Sequence, residues 1–293
     1  MSDSNAHTDF TKHPYFDLMV PTDQLLLSRV GLLVQERNTC HEWPLSCVER
    51  IVFAGGITKY CKSMRSPSME VEVYTNLTSP VLVPHLVVSK NGPYSTLLLD
   101  AFPGQRLSRE HLHERGLSEL IESLRAHITS PPGKLPIFVD LSSASQVQEH
   151  LDVMLTSLHR RFGAETATSI DPSLLRVAQE CAHSEPIRDA FIQGIVYSNG
   201  DLSADNIVVA GREILVIDWQ FPRLASLNVE LVNLYTSLGI DPLSRLSKAE
   251  VAAGLLCKVR WFAECADRWL THCQYQDQIT ELLKQLKDLG TFN

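Results

Sequence analysis

Ile195-Val196-Tyr197-Ser198-Asn199-Gly200-Asp201-Leu202-Ser203-Ala204-Asp205-Asn206-Ile207-Val208-Val209, continued by Ala210-Gly211-Arg212-Glu213 and Ile214-Leu215-Val216-Ile217-Asp218-Trp219-Gln220, decides the reading of this chain. Two apolar, β-rich runs flank a short polar turn. Asp201 falls in a loop before the first strand, Asn206 opens that strand, and Asp218 closes the second. A hairpin brings the start of one strand beside the end of the other. The pattern predicts that Asp201, Asn206 and Asp218 converge at one rim. Two carboxylates and an amide make an all-oxygen set that Mg²⁺ accepts when a phosphate supplies further ligands.

The rest of the composition narrows the class. A chain of 293 residues is long enough for one large or two medium domains. Its net charge of −8 argues against non-specific nucleic-acid binding, which needs a basic surface. The first 13 residues lack a basic segment followed by an apolar one, so no signal peptide is expected. No apolar run approaches the roughly 20 residues of a membrane span. The cysteines are Cys40, Cys47, Cys61, Cys181, Cys257, Cys265 and Cys273. An odd count with no C-x-x-C pair fits reduced thiols rather than a zinc site or a disulfide framework. The expected setting is the cytoplasm, with no membrane and no nucleic-acid partner.

Along the chain, residues 1–20 read as a poorly ordered lead-in. Residues 23–36 read as a helix running into a strand, 38–46 as a polar loop, and 47–53 and 57–64 as strands joined by the Gly55-Gly56 turn. A helix follows Ser66-Pro67-Ser68 and covers 69–77. Strands at 81–88 and 96–99 lead to Asp100-Ala101-Phe102-Pro103-Gly104, which breaks the pattern. Beyond it the apolar periodicity is helical: 109–128 behind Ser108, 146–162, and a helix opening at Asp171-Pro172. After the central stretch come helices at 229–238, at 248–271 behind the capping box Ser247-x-x-Glu250, and at 276–289. The first third is strand-rich and the remainder mostly helical.

The central stretch resembles the aminoglycoside phosphotransferase and choline kinase group, small-molecule kinases built on the protein-kinase fold. That group shows His-Gly-Asp, four residues, Asn, and then a strand ending in Ile-Asp-Trp or Ile-Asp-Phe. Here the pattern is Asn199-Gly200-Asp201, Asn206 and Ile217-Asp218-Trp219. The resemblance implies an α+β, bilobal protein-kinase-like fold, with a small nucleotide-binding lobe over 1–102 and a larger catalytic and acceptor-binding lobe over 103–293. It implies an ATP- and Mg²⁺-dependent phosphotransferase acting on a hydroxyl of a small molecule, such as an amino sugar or amino alcohol. Asp201 takes the catalytic position, and Asn206 and Asp218 the metal positions. Lys62 and Glu70 match the strand lysine and helix glutamate that hold the nucleotide phosphates, with Lys59 and Glu72 as competitors. Asp100 and Phe102 fall at the hinge where adenine binds. Glu230 matches the acidic residue after the second metal-binding Asp. The acceptor site is expected among the C-terminal helices, near Trp261, Glu264, Asp267, Trp269, Asp277 and Glu281.

Two departures motivate an alternative, a catalytically weak kinase-like nucleotide-binding protein. Asn199 stands where the group has histidine, and an amide can hydrogen-bond but cannot act as a base. The segment 38–46, at the place of the nucleotide-covering loop, has no glycine for close backbone approach.

Overall fold

The computed structural model describes residues 9–77, 85–127, 135–163, 169–270 and 275–290. Two compact units emerge. The first holds Met1–Gln105, Gly133–Pro136 and Val208–Phe221, and the second holds Arg106–Pro132, Ile137–Ile207 and Pro222–Asn293. The first unit thus takes residues 208–221, which a single cut after 102 leaves with the second.

The first unit is built on a five-stranded antiparallel sheet. Its order is Val34–Trp43, Ser46–Phe53, Ile57–Arg65, Tyr94–Asp100 and His85–Asn91. Alternation along Ile57–Arg65 sends successive side chains to opposite faces. Cys61 joins a core with Leu25, Leu26, Ile51, Phe53 and Leu98, capped by helix Asp23–Val30. Lys62 therefore points to the other face. That helix starts at Thr22, whose side chain accepts from the Leu25 amide, and ends at Gly31 with φ +78°.

Three expectations about this unit change. Residues 10–21 are not a loose lead-in: Phe10–Lys12 pairs antiparallel with Met19–Pro21, and Leu18 is fully buried. The buried His13 ring accepts from the amides of Tyr15 and Phe16 on Nδ1 and faces Glu42 with Nε2 at 3.1 Å. The segment 38–46 is not a loop. It completes strand Val34–Trp43, which turns at Pro44-Leu45 into Ser46–Phe53, with the Trp43 indole donating to Ser46 Oγ at 2.7 Å. An edge strand open to water on both sides carries polar residues without apolar alternation, which hid it. The strand expected at 81–88 is seen as His85–Asn91, while residues 81–84 lie outside the described ones.

Strands Ile207–Ala210 and Glu213–Val216 are neighbours in a second sheet, joined at Gly211-Arg212, where Gly211 has φ +60°. Asn206 does not open the first of them but ends the 3₁₀ turn Ala204–Asn206.

The second unit is helical around a small sheet in which Ile195–Ser198 pairs antiparallel with Arg223–Ser226, and the latter parallel with Val139–Asp140. Its core draws on helices Ala144–Phe162, Pro172–His183, Glu185–Ile192, Leu227–Ser237, Lys248–Glu264 and Gln276–Leu289. The capping box at Ser247 forms as its spacing predicts, the hydroxyl accepting from the Glu250 amide. Two long helices end earlier than expected. The run from 109 breaks at Gly116, φ +81°, into Arg109–Arg115 and Leu117–His127, with Ile128 outside the described residues. The helix from Lys248 stops at Glu264 and passes into a π turn, Cys265–Trp269.

Helices Leu227–Ser237 and Lys248–Glu264 meet where Gly254 lies against Val232. A Cβ at position 254 would sit 2.6 Å from the Val232 Cβ. That atom is fixed to the backbone, so the helices themselves would have to separate. Gly254→Val is expected to destabilise the protein by about 1–3 kcal/mol, measured as a lowered urea midpoint. An unchanged midpoint would contradict this close approach.

Candidate functional site

The first unit carries a buried charged cluster. Lys62 Nζ lies 2.5 Å from Glu70 Oε2 and 2.8 Å from Asp218 Oδ1. Lys62 is fixed by the sheet, opposite Val48 and Leu97. Glu70 opens helix Glu70–Asn76 and is 1% exposed. The segment after Val216 is stitched to this helix. The Met69 amide donates to the Gln220 carbonyl at 2.8 Å, and the Trp219 amide to Glu70 Oε1 at 3.3 Å. The buried Trp219 indole donates to the Val216 carbonyl. Asp218 has φ +60°, the only positive φ of a non-glycine among the described residues. Aspartate tolerates that region better than most residues, and such backbones concentrate at functional sites.

The electrostatics follow from burial. Burial opposes the Lys62 charge, but Asp218 and Glu70 outweigh it and hold the ammonium above its ordinary range. Burial pushes Glu70 up, with Lys62 only partly opposing. Burial also acts against the charge on Asp218, yet Lys62 and the Gln220 amide, donating at 2.9 Å, bring it below the usual carboxylate range. One ammonium faces two carboxylates, so the ionised cluster keeps a negative charge. Asp218 Oδ1 takes both Lys62 and Gln220.

The competitors have other partners. Lys59 sits opposite Asp100 in the sheet and forms an ion pair with it. Glu72 pairs at the surface with Lys90 at 2.6 Å. Asp100 closes strand Tyr94–Asp100, and Phe102 follows it half-buried.

The second unit holds Asp201 and Asn206 together. Strand Ile195–Ser198 ends at the buried Asn199, and Gly200, with φ +79°, turns the chain into Asp201. The Asn206 side-chain nitrogen donates to the Asp201 carbonyl at 2.9 Å and to its Oδ2 at 3.0 Å. Asn199 makes long bonds in both directions, donating to the Asp201 carbonyl at 3.3 Å and accepting its amide at 3.4 Å. Asp218 belongs to the first unit and Asn206 to the second.

Beside Glu230, which the resemblance pointed to, several residues at these clusters were not singled out from the sequence. Gln220 bonds Asp218 as described. Arg223 donates to the Gly200 carbonyl and pairs with the buried Glu230. Burial pushes Glu230 up and Arg223 opposes it. Asn233 donates to Asp201 Oδ1 at 2.7 Å. Burial lowers Lys258, while the charge of Asp201 raises it. Asn233 could have been found: it lies three residues after Glu230 and four before Ser237, a spacing that puts the three on one face of the helix. Of the carboxylates expected near an acceptor, Glu264 is buried between Arg260 and Arg268 at 3.0 and 3.2 Å, and Asp267 pairs with Arg160 at 2.9 Å.

A separate cavity of about 770 Å³ in the first unit is lined by His13, Arg37, Glu42, Cys47 and Glu49 among others. His13, Glu42 and Cys47 could in principle hold a metal. His13 Nδ1 accepts two backbone amides, so Nε2 carries the proton and donates to Glu42. A protonated nitrogen is no ligand, and a metal-bound histidine instead donates its second N–H outward. The His13–Glu42 bond ties the N-terminal strands to strand Val34–Trp43.

No protein-family model matches the sequence, and no curated protein matches it. Solved structures do match. The fold is that of the small-molecule kinases related to protein kinases. A choline/ethanolamine kinase family protein from Mesorhizobium loti is similar with TM-score 0.61 and 13% identity, over 88% of this chain and 89% of that one. An ethanolamine kinase of Plasmodium vivax gives TM-score 0.57 and 12% identity, over 86% and 82% of the two chains. APH(2″)-IIa, solved in a ternary complex with streptomycin and ATP, gives 0.54 and 14%, over 94% and 100%.

Removing Lys62 leaves Glu70 buried with a charge and no cation. Lys62→Met is expected to cost about 3–5 kcal/mol near pH 8. The loss shrinks as pH falls. Glu70, already raised, takes up a proton still more readily in the variant, so the folded state binds protons that the unfolded state has released. Urea denaturation of both proteins at pH 8 and pH 5 checks this, and an equal penalty at the two pH values would contradict it.

Proposed function

We propose that this protein is a phosphotransferase that moves the γ-phosphate of ATP to a hydroxyl of a small molecule. The observation that carries the reading is the buried Lys62 held between Glu70 and Asp218, in a chain with the fold of small-molecule kinases. A buried ion pair is weak evidence for stability, because desolvation offsets much of the attraction. A lysine fixed on a strand by two carboxylates is what phosphate positioning requires.

In this reading Lys62 contacts the nucleotide phosphates and Glu70 keeps it aimed. Asp100 and Phe102 flank the adenine-binding backbone. Asp218 and Asn206 would hold Mg²⁺, and the residual negative charge of the Lys62 cluster suits a divalent cation. Bound there, the ion would neutralise charge on the phosphate oxygens. Asp201 orients the acceptor hydroxyl and takes its proton as the new O–P bond forms and the bond to the departing nucleoside diphosphate breaks. Asn199 supplies hydrogen bonds to the Asp201 backbone, a task that needs no titratable ring, and this favours an active enzyme over a binding protein. With Glu264 and Asp267 neutralised by arginines, the acceptor class is left to experiment.

The test is ADP release from ATP and Mg²⁺ with choline, ethanolamine, streptomycin, kanamycin, a macrolide and a fructosamine as acceptors. Acceptor-dependent release is expected from the natural protein and at least 100-fold less from Asp201→Ala. Turnover unaffected by Asp201→Ala would overturn the assignment, and nucleotide binding without any turnover would favour the binding protein. Asp218→Ala is expected to weaken Mg·ATP binding more than Asp201→Ala does, by calorimetric titration. Equal affinities in the two variants would sink the division of roles.

A further inference from the structure

A β-bulge near the end of strand Val34–Trp43 decides which way His41 points. Thr39 lies opposite Glu49 and His41 opposite Val48, so Cys40 is an extra residue between them. In unbroken register Cys40 would oppose Val48, and His41 would oppose Cys47. The bulge brings His41 to the face of Lys62 instead, because Val48 lies opposite Lys62 and opposed residues share a face. Trp43, two residues on, points the same way. Its indole donates to Ser46 Oγ, which also accepts from Gln220 Nε2 at 3.3 Å. Gln220 donates in turn to Asp218 Oδ1, so the end of the hairpin is fastened to the Lys62–Asp218 cluster. The cavity behind the sheet touches Thr39, Cys40, His41 and Glu42 in succession, and so runs along their backbone.

We propose that His41 is a phosphate-binding residue, which together with Lys62 holds the polyphosphate chain of the nucleotide. The proposal deepens the phosphotransferase reading and rests on it for the identity of that ligand. Lys62 spends two of its three N–H donors on Glu70 and Asp218, so a polyanion needs a further donor that is not already committed. The His41 ring is such a donor. It is exposed and makes no hydrogen bond or ion pair among the described residues. It lies close enough to Asp218 for a positive charge on the ring to act on that carboxylate. With one strand between them, the Cα atoms of His41 and Lys62 are about 10 Å apart, a span that two side chains and a phosphate chain can bridge. Segment 38–46 has no glycine for close backbone approach, and a side chain aimed by the bulge supplies the contact in its place.

The test separates the phosphate end of the ligand from the nucleoside end. The full chain is titrated calorimetrically with Mg·ATP, with adenosine and with tripolyphosphate. In His41→Ala the affinities for Mg·ATP and tripolyphosphate are expected to fall roughly 10-fold, the worth of one hydrogen bond to a charged group, while adenosine binds as before. His41→Glu, which sets a carboxylate against the phosphates, loses more. Thermal unfolding checks that both variants are folded. A second measurement needs only the natural protein and an assignment: the ¹H resonance of the His41 ring, identified by its loss in His41→Gln, is expected to move on addition of Mg·ATP. A resonance that stays in place at saturation sinks the proposal, as does Mg·ATP affinity unchanged in His41→Ala or an equal fall for adenosine. If tripolyphosphate binds in a His41-dependent way but no acceptor brings about ADP release, the phosphate site stands and the kinase reading falls. If acceptor-dependent release is seen and Mg·ATP affinity ignores His41, the proposal alone falls.

Discussion

An ammonium group that water hardly reaches, with a carboxylate on either side, is the constraint on which the first unit depends. Taking Lys62 and Glu70 out of water costs several kcal/mol per ion before their attraction is counted. That cost is tolerable only if both partners are delivered to fixed places. The sheet delivers Lys62, opposite Val48 and Leu97, and the helix beginning at Glu70 delivers the first carboxylate. Asp218 comes from far along the sequence, on a backbone with φ +60°, and is fastened by the Met69–Gln220 and Trp219–Glu70 bonds. Much of the local architecture is the set of fixtures that keeps three charged groups from relaxing.

The second unit meets a different demand. Asp201 is exposed, so hydrogen bonds rather than burial must decide where its carboxylate points. Asn206, Asn233 and the Arg223–Glu230 pair meet that demand with neutral or self-compensated groups. The first unit thus stabilises the charges of Lys62 and Glu70 by counter-charge out of water, while the second holds an exposed carboxylate with an amide donor on each oxygen.

The legibility of these features in the sequence divides along the same line. Asp201, Asn206 and Asp218 stood out by their spacing around apolar strands, and Lys62 and Glu70 by the resemblance to the kinase group; the structure places Lys62 between Glu70 and Asp218, and Asn206 against Asp201 at the end of a 3₁₀ turn rather than at a strand start. Strand Val34–Trp43 could not be read, because an edge strand wetted on both faces has no apolar alternation to display. The pairing of Phe10–Lys12 with Met19–Pro21 was hidden for a similar reason, since short, half-exposed strands are anchored by single residues such as Leu18 and His13. The partners of Asp201 on helix Leu227–Ser237 are a tertiary fact. Periodicity exposes the shared face but cannot say what lies against it.

The interleaving of the units has a consequence for how the chain is made. Residues 208–221 complete the first unit, yet they leave the ribosome roughly a hundred residues after its last sheet strand, Tyr94–Asp100. Until they emerge, Lys62 and Glu70 lack the third member of their cluster, and Met69, ahead of helix Glu70–Asn76, lacks its bond to Gln220. Contacts so distant in sequence close slowly. The nascent first unit therefore lacks these partners while most of the second is synthesised. A fragment ending at Gln105 would be an unfinished body, even though every strand of its main sheet is present.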